Sequence, residues 1–127
     1  MVLVDTSVWI EFLKGKQPWQ AEMRRLLEDR EVLAVEPVFG ELLQGAKGDR
    51  EREIILDYWQ NLPKPNIQDV WIKAGEQSAK NKWLTRGVGL IDAVLIISAR
   101  HSKASLWTKD NKLKSLLSND ETHVFVR

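Results

Sequence analysis

The chain has 127 residues, with 19 Lys and Arg against 18 Asp and Glu, no cysteine and two histidines. This length suits one ordinary domain, and the lack of cysteine excludes disulfide scaffolds, Cys-ligated zinc and thiol catalysis. Two histidines also exclude a His-rich metal site, while a formal net charge of +1 argues against a polybasic protein that holds nucleic acid by bulk charge.

The first half of the chain alternates short apolar runs, which predict buried strands, with amphipathic segments, which predict helices. The strands are predicted at 2–4 and 32–35, and the helices at 8–15, 19–30, 36–45 and 50–61. Two prolines, Pro63 and Pro65, close the last of these helices.

The second half continues the alternation. Helices are predicted at 69–84, 90–99 and 110–117, and strands at 105–108 and 123–126. The helix at 90–99 is apolar almost all round and is expected to be buried. Strands separated by helices predict an α/β fold, a three-layer α/β/α sandwich with a mainly parallel central sheet, as one domain over residues 1–127.

No targeting signal is evident at the N-terminus, where Met1-Val-Leu-Val-Asp5 has no basic region and too short an apolar run for a signal peptide. No stretch approaches the roughly 18 apolar residues that indicate a membrane span. We therefore expect a cytoplasmic protein that does not associate with a membrane.

Three aspartates stand at predicted strand ends or at a predicted helix start. Asp5 follows the strand at 2–4, Asp110 comes two residues after the strand at 105–108, and Asp92 begins the most apolar helix. Ligand sites in such folds lie at the carboxyl ends of strands. An unpaired carboxylate would be costly to bury at the start of that apolar helix, so Asp92 must be solvated, paired or bound to a metal. Each is explained equally well as a helix N-cap.

Glu41 differs, because it lies within a helix, four residues after Pro37, where capping cannot explain it. Taken alone, it is best interpreted as part of a solvated helix face. Together with the three aspartates it makes a set of four carboxylates, the hard ligands that Mg²⁺ or Mn²⁺ prefers. Bound metal can activate water for phosphodiester cleavage, a reaction that needs neither Cys nor His.

Each carboxylate lies in a short motif between residues 4 and 113. The motifs are Val4-Asp5-Thr6-Ser7-Val8-Trp9-Ile10, Glu41-Leu42-Leu43-Gln44-Gly45, Ile91-Asp92-Ala93-Val94-Leu95-Ile96-Ile97-Ser98-Ala99 and Trp107-Thr108-Lys109-Asp110-Asn111-Lys112-Leu113. In this order they resemble the motifs of PIN-domain ribonucleases, particularly the VapC-type toxins of type II toxin–antitoxin pairs. The length and the alternation of strands and helices are also similar to that family.

The resemblance implies a PIN-like fold and a Mg²⁺-dependent endoribonuclease, with Mn²⁺ as a substitute ion. The carboxylates implied around the metal, as catalytic residues, are Asp5, Glu41, Asp92 and Asp110. The hydroxyls implied to bond ligands, metal waters or phosphate are Thr6, Ser7 and Thr108, although turn and cap chemistry explains them equally well. Asn111-Lys112 stand where many relatives have a further acid, which leaves a second metal site without support.

The resemblance also implies three partners: an RNA substrate, a cognate VapB-like antitoxin and a second copy of the chain. The near-neutral total hides a charge asymmetry that suits RNA. Residues 71–118 contain nine basic and three acidic residues, and the remainder contains 10 basic and 15 acidic ones. Arg86, Lys109 and Lys112 are the predicted phosphate-binding side chains, because they lie beside the motif residues or in the loop before Asp92.

Tryptophans can stack on unpaired bases, but most of the six lie in apolar patterns that favour core or partner contacts. Trp83, beside Lys80, Lys82 and Arg86, is the one predicted to contact RNA.

Two alternative functions fit the same layering of strands and helices. A phosphoacceptor signalling domain would need an acidic pair after the first strand and a phosphorylatable Asp after a middle strand. Here the candidate strands near 33–35 and 66–68 end in Glu36-Pro37 and Asp69. The other alternative is a PIN-like RNA-binding module without catalysis.

Overall fold

The computed structural model describes residues 1–125, which form three strands and seven α-helices within that range. The strands are β1 (Val2–Val4), β2 (Val32–Leu33) and β3 (Ser105–Trp107). The helices are α1 (Thr6–Leu13), α2 (Trp19–Glu28), α3 (Glu36–Gln44), α4 (Asp49–Asn61), α5 (Val70–Asn81), α6 (Leu90–His101) and α7 (Asn111–Lys114). The predicted α/β class is confirmed.

The sheet has the strand order β2-β1-β3, with both pairings parallel. Leu3 at the centre of β1 is paired with Leu33 on one side and with Leu106 on the other. All three strands therefore end at the same edge of the sheet. Just beyond that edge the Asp5 amide donates to the Trp107 carbonyl at 2.9 Å, which holds the chain after β1 beside the chain after β3.

The apolar helix α6 provides much of the core, as the sequence predicts. It packs on β1 and β3, and α5 packs on its other side. Leu95 and Ile96 have no exposed surface. Burying such a side chain contributes about 1.5–3 kcal/mol, so the first turn of α6, which carries Asp92, is firmly fixed at the sheet edge.

Three predicted elements differ from the structure. The helix predicted at 69–84 ends at Asn81, where Lys82 adopts a left-handed conformation (φ 56°) and turns Trp83 into the core. The helix predicted at 110–117 is only the four-residue α7. The residues around 66–68 form no strand.

The predicted last strand, 123–126, is also wrong over its described residues. A single parallel bridge joins Thr122 to Leu106, and no strand follows. Side chains hold this segment instead: the His123 ring lies 2.8 Å from Glu22, and Phe125 packs edge-on against Trp107. Val126 lies outside the described residues.

Among residues 1–125, no helix combines the length and the apolar character that crossing a membrane would require.

Candidate active site

Asp5 stands between β1 and α1, and its carboxylate is 8% exposed. One oxygen, Oδ1, accepts the Thr6 amide at 2.7 Å and so caps α1. The other, Oδ2, accepts the Thr108 hydroxyl at 2.7 Å. The cap interpretation is therefore correct for Asp5 but incomplete, because the second oxygen is oriented by a residue 103 positions away.

Thr108 links two of the carboxylates. Its buried hydroxyl donates to Asp5 and accepts the Asp110 amide at 3.0 Å. Ser7 makes weaker contacts of the same kind, since its hydroxyl lies 3.5 Å from Asp5 Oδ2 and accepts the Lys109 amide at 3.3 Å. The two hydroxyls therefore connect Asp5 with the chain after β3, and their role toward a metal or a phosphate stays a prediction.

Replacing Thr108 by Val is expected to lower the free energy of unfolding by about 1–3 kcal/mol. The substitution keeps the shape of the side chain but leaves the buried Asp5 Oδ2 and the Asp110 amide without their partner. Urea unfolding followed by circular dichroism measures the change. Thr85→Val is the matched control, because Thr85 is exposed and its hydroxyl makes only a local bond to the Lys82 carbonyl. Equal, small effects of the two substitutions would contradict the assigned role.

The other three carboxylates approach the same edge from different elements. Glu41, on α3, accepts the Thr6 hydroxyl at 2.6 Å. Asp110 caps α7 by accepting the amides of Lys112 and Leu113. Asp92 lies in the first turn of α6, but the N-cap of that helix is Gly89. Among the described residues, Asp92 has no hydrogen-bond partner, so capping does not explain it.

The charges of these groups act on one another. Burial, and secondarily the charges of Glu41 and Asp110, raise the pKa of Asp5, although the bonds from Thr108 and Thr6 oppose this. Burial also raises the pKa of Asp92, to about 6, and the charges of Asp5, Asp110 and Glu41 add to the effect. A helix N-terminus stabilises an anion, but here repulsion and burial outweigh that effect.

A divalent cation fits the chemistry of this donor set. In the described part of the chain, none of the four carboxylates forms an ion pair with Lys, Arg or His. Their mutual repulsion is the state that a hard cation relieves. Nevertheless, within residues 1–125 no three acidic or imidazole groups are already arranged as ligands of one ion. Glu41 and Asp110 are held by Thr6 and by the amides of α7, so binding requires their side chains to reorient.

Two of the three predicted phosphate-binding cations lie together. The Arg86 guanidinium donates to the Ser115 hydroxyl at 3.4 Å, which places it beside the end of α7. Lys112 lies across Gly87 (φ 82°), where a Cβ would stand only 2.9 Å from Lys112 Cδ. The positive φ favours glycine at position 87, whereas the exposed Lys112 side chain can move aside at little cost. Both cations are exposed, next to the loop before Asp92.

Lys109 is engaged elsewhere. Its ammonium lies 3.6 Å from Glu11 Oε1 and 4.8 Å from the centre of the Trp19 ring. Glu11 is a nearly buried carboxylate on α1 that sequence reasoning did not single out. A charged residue inside the apolar run Trp9-Ile10-Glu11-Phe12 was the available signal, since such a residue needs a partner.

The prediction that Trp83 contacts RNA is wrong. Trp83 is only 4% exposed, and the Arg100 guanidinium lies 5.8 Å from the centre of its ring. The turn at Lys82 directs the indole into the core, although neighbouring lysines had indicated a surface position. Trp71, whose pattern indicated a buried or contact residue, is 46% exposed.

Comparisons with known proteins agree with this arrangement. A family model described as the PIN domain matches residues 2–116. A protein named Ribonuclease VapC32, from Mycobacterium tuberculosis, is 37% identical over 119 residues, which are 91% of this chain and 89% of that protein. Ribonuclease VapC11, from the same organism, is 33% identical over 72 residues, or 54% of each chain. Because the family match spans both the first and the last of the four carboxylates, and the first relative aligns almost end to end, the chain belongs to the PIN-domain family, among its VapC-type ribonucleases.

Proposed function

We propose that this protein is a Mg²⁺-dependent endoribonuclease and the toxin of a toxin–antitoxin pair. The observation that supports this most directly is the unneutralised set Asp5, Glu41, Asp92 and Asp110 at one edge of the sheet, with the raised pKa values of Asp5 and Asp92. The curated relatives named as ribonucleases support RNA as the substrate.

In the proposed mechanism, Asp5, Glu41, Asp92 and Asp110 would hold the ion. When bound, Mg²⁺ or Mn²⁺ supplies an acidified water and neutralises charge on the departing oxygen. Thr108 keeps the Asp5 carboxylate in place, whereas Glu41 would leave the Thr6 hydroxyl to reach the ion. One ionised carboxylate accepts a proton from the attacking water, and the products carry a 5′-phosphate and a 3′-hydroxyl.

Arg86 and Lys112 are the proposed contacts for the RNA backbone. They are exposed, they lie together beside the loop before Asp92, and no acidic side chain among the described residues pairs with them. Such contacts position the phosphate without reading sequence. Lys109, also predicted from the sequence, would have to leave Glu11 to join them.

The proposed activity is tested with total RNA and the purified full-length chain. We expect cleavage with Mg²⁺ or Mn²⁺, none with excess EDTA, and restoration when the ion is returned, because the chain offers no Cys and only two His for metal-free catalysis. Mapping of the cut ends should give 5′-phosphates. Cleavage that persists in EDTA, or that leaves 2′,3′-cyclic ends, would contradict the mechanism.

The two alternative functions have less support. A phosphoacceptor domain needs an acceptor Asp after a middle strand, but the residues around 66–68 form no strand and Asp69 precedes α5 in a left-handed conformation. A binding module without catalysis has no need for four carboxylates that lack ion-pair partners, because their mutual repulsion lowers the stability of the fold. RNA cleavage that depends on added metal would exclude both.

The antitoxin and a second copy of the chain are the proposed protein partners, and each has a candidate surface. A groove of about 260 Å³, lined among others by Ile10, Leu13 and Leu42, opens beside Glu41 and could seat an antitoxin segment. Leu84 is 74% exposed and shares a second groove with Leu90 and Gly75, which suits a homodimer contact.

Both partners can be tested directly. Light scattering of the purified chain measures its mass in solution and so tests the homodimer. Co-purification with the product of an adjacent small gene tests the antitoxin. A cytoplasmic location stays a prediction.

A further inference from the structure

A cavity of about 450 Å³ opens beside the acidic edge, next to Thr108. It lies between the start of α2, the chain after β3 and the segment 122–125. Its volume is within the range of about 300–1,000 Å³ that is typical of small-ligand pockets. Three residues of the fourth motif, Trp107, Thr108 and Lys109, form one wall of it, but the proposed mechanism places no ligand there.

The cavity adjoins the candidate active site through one residue. Thr108 lines it, and the hydroxyl of the same residue is 2.7 Å from Asp5 Oδ2. A group bound in the cavity would therefore be a close neighbour of any phosphate held at the carboxylates. For an RNA chain, that neighbour is the next nucleotide.

The lining carries positive charge and aromatic surface. Lys114 is exposed and has no acidic partner among the described residues, whereas the charge of Lys109 is paired with Glu11. Trp19 and Phe125 are half-buried rings that face the same space. No Asp or Glu is among the described residues that line this cavity. By contrast, the groove beside Ile10 includes Glu41 and Glu51, and the cavity beside Trp59 includes Glu36. Of these cavities, only the one at Trp19 offers cations and rings without a carboxylate that would repel a phosphate.

Its walls are also fixed before any ligand arrives. The His123 ring, bonded to Glu22 at 2.8 Å, ties the segment 122–125 to α2, and it packs 5.1 Å from the Trp107 ring. Arg25 holds Glu22 in turn at 2.7 Å. A preformed cavity spares a ligand the cost of ordering the side chains around it.

We propose that this cavity binds one unpaired nucleotide of the RNA, with its phosphate near Lys114 and its base against Phe125 and Trp19, where the base takes the place of the Lys109 ammonium. This inference rests on RNA being the substrate, as proposed above. Base stacking on an aromatic side chain tolerates any base, so this site adds affinity and positions the strand rather than selecting a sequence.

Binding is measured without cleavage, by fluorescence anisotropy of a labelled single-stranded oligoribonucleotide in EDTA with the full-length chain. Trp19→Ala is expected to weaken binding about 5- to 100-fold, and Trp19→Phe to restore most of it. Trp71→Ala, which removes an exposed indole elsewhere, is the matched control and should change little. Lys114→Gln should reduce the salt slope of log K by about one, whereas Lys80→Gln on α5 should leave it nearly unchanged.

Photo-crosslinking with 5-iodouridine in the same oligoribonucleotide provides a readout that does not depend on the folding of a variant. The expected adducts of the unmodified chain map to Trp19, His123 or Phe125. Adducts confined to other parts of the chain, equal binding by Trp19→Ala and Trp71→Ala, or no binding by the unmodified chain would each overturn the proposal.

Different results would refute the proposed nuclease activity and the proposed nucleotide site. Binding through Trp19 without metal-dependent cleavage would refute the nuclease and keep the nucleotide site. Cleavage with an unchanged KM in Trp19→Ala would keep the nuclease and refute the site.

Discussion

Asp5→Asn is expected to reduce the rate of metal-dependent RNA cleavage at least about 1,000-fold while leaving the fold intact. A catalytic metal contributes several kcal/mol to the transition state, and each 1.36 kcal/mol corresponds to a factor of ten in rate. Asp5 is the most buried of the four carboxylates, and Thr6 and Thr108 both donate to it. Its replacement removes one charged ligand from the proposed metal site.

The fold should be retained because asparagine can make the same two hydrogen-bond contacts as Asp5, one to the Thr6 amide and one to the Thr108 hydroxyl. Asn caps a helix about as well as Asp, so its Oδ1 can accept the Thr6 amide. Its amide group can donate to the Thr108 hydroxyl, which has a free lone pair for it. The charge that burial penalises at this site is lost, so the melting temperature in EDTA should be unchanged or higher.

Asp57→Asn is the matched control, since Asp57 is an exposed aspartate on α4 and makes no ion pair among the described residues. Single-turnover cleavage of one labelled RNA, with thermal unfolding of each variant, separates catalysis from stability. Comparable rates for Asp5→Asn and Asp57→Asn would refute the placement of Asp5 in the metal site. A large loss of melting temperature in Asp5→Asn would instead indicate a structural role.

The sequence predicts the fold well where the pattern depends on one strong physical cause. The apolar run Val2-Leu3-Val4 predicts β1, and the almost uniformly apolar stretch at 90–99 predicts the buried α6. Predicted strands and helices are wrong where side-chain contacts, and not backbone hydrogen bonds, hold the segment. Bonds from His123 and packing of Phe125 hold the C-terminal segment, and neither leaves a periodic signal in the sequence.

The candidate site divides in a similar way. Helix starts and strand ends mark the three aspartates as candidates, but only the structure separates Asp92 from the caps, because Gly89 is the N-cap of α6. The position of Lys109 in the sequence does not indicate that its ammonium forms an ion pair with Glu11 and lies over the Trp19 ring. Long-range pairs of this kind depend on how elements pack, which a single sequence does not record.

Stability measured without RNA should respond to divalent metal through Asp92. Folding raises the pKa of Asp92 from 3.8 to about 6, chiefly by burial and then by the charges of Asp5, Asp110 and Glu41. Between these two values the folded state binds more protons than the unfolded state, so the free energy of unfolding falls as pH rises through this window. In EDTA, this group therefore makes the protein less stable at pH 7 than at pH 5.

A bound cation reverses that effect at neutral pH. At a concentration one hundred times its Kd, an ion that binds only the folded state adds about 2.7 kcal/mol, which corresponds to an increase of about 10 °C in melting temperature for a domain of this size. At pH 5, a proton on Asp92 competes with the ion and weakens its binding about tenfold, so the increase in melting temperature should be about half as large. Calorimetric scans with Mn²⁺ and with EDTA at both pH values measure the difference.

Asp92→Asn tests whether this carboxylate is the origin of both effects. The variant should melt higher than the unmodified chain in EDTA at pH 7, because it lacks the repelled charge, and it should lose most of the increase that metal produces. Glu76→Gln, an exposed acid on α5, should retain the full increase and is the matched control. If Asp92→Asn and the unmodified chain gained the same melting temperature from Mn²⁺, or if the gain did not depend on pH, the ion would have to bind away from Asp92.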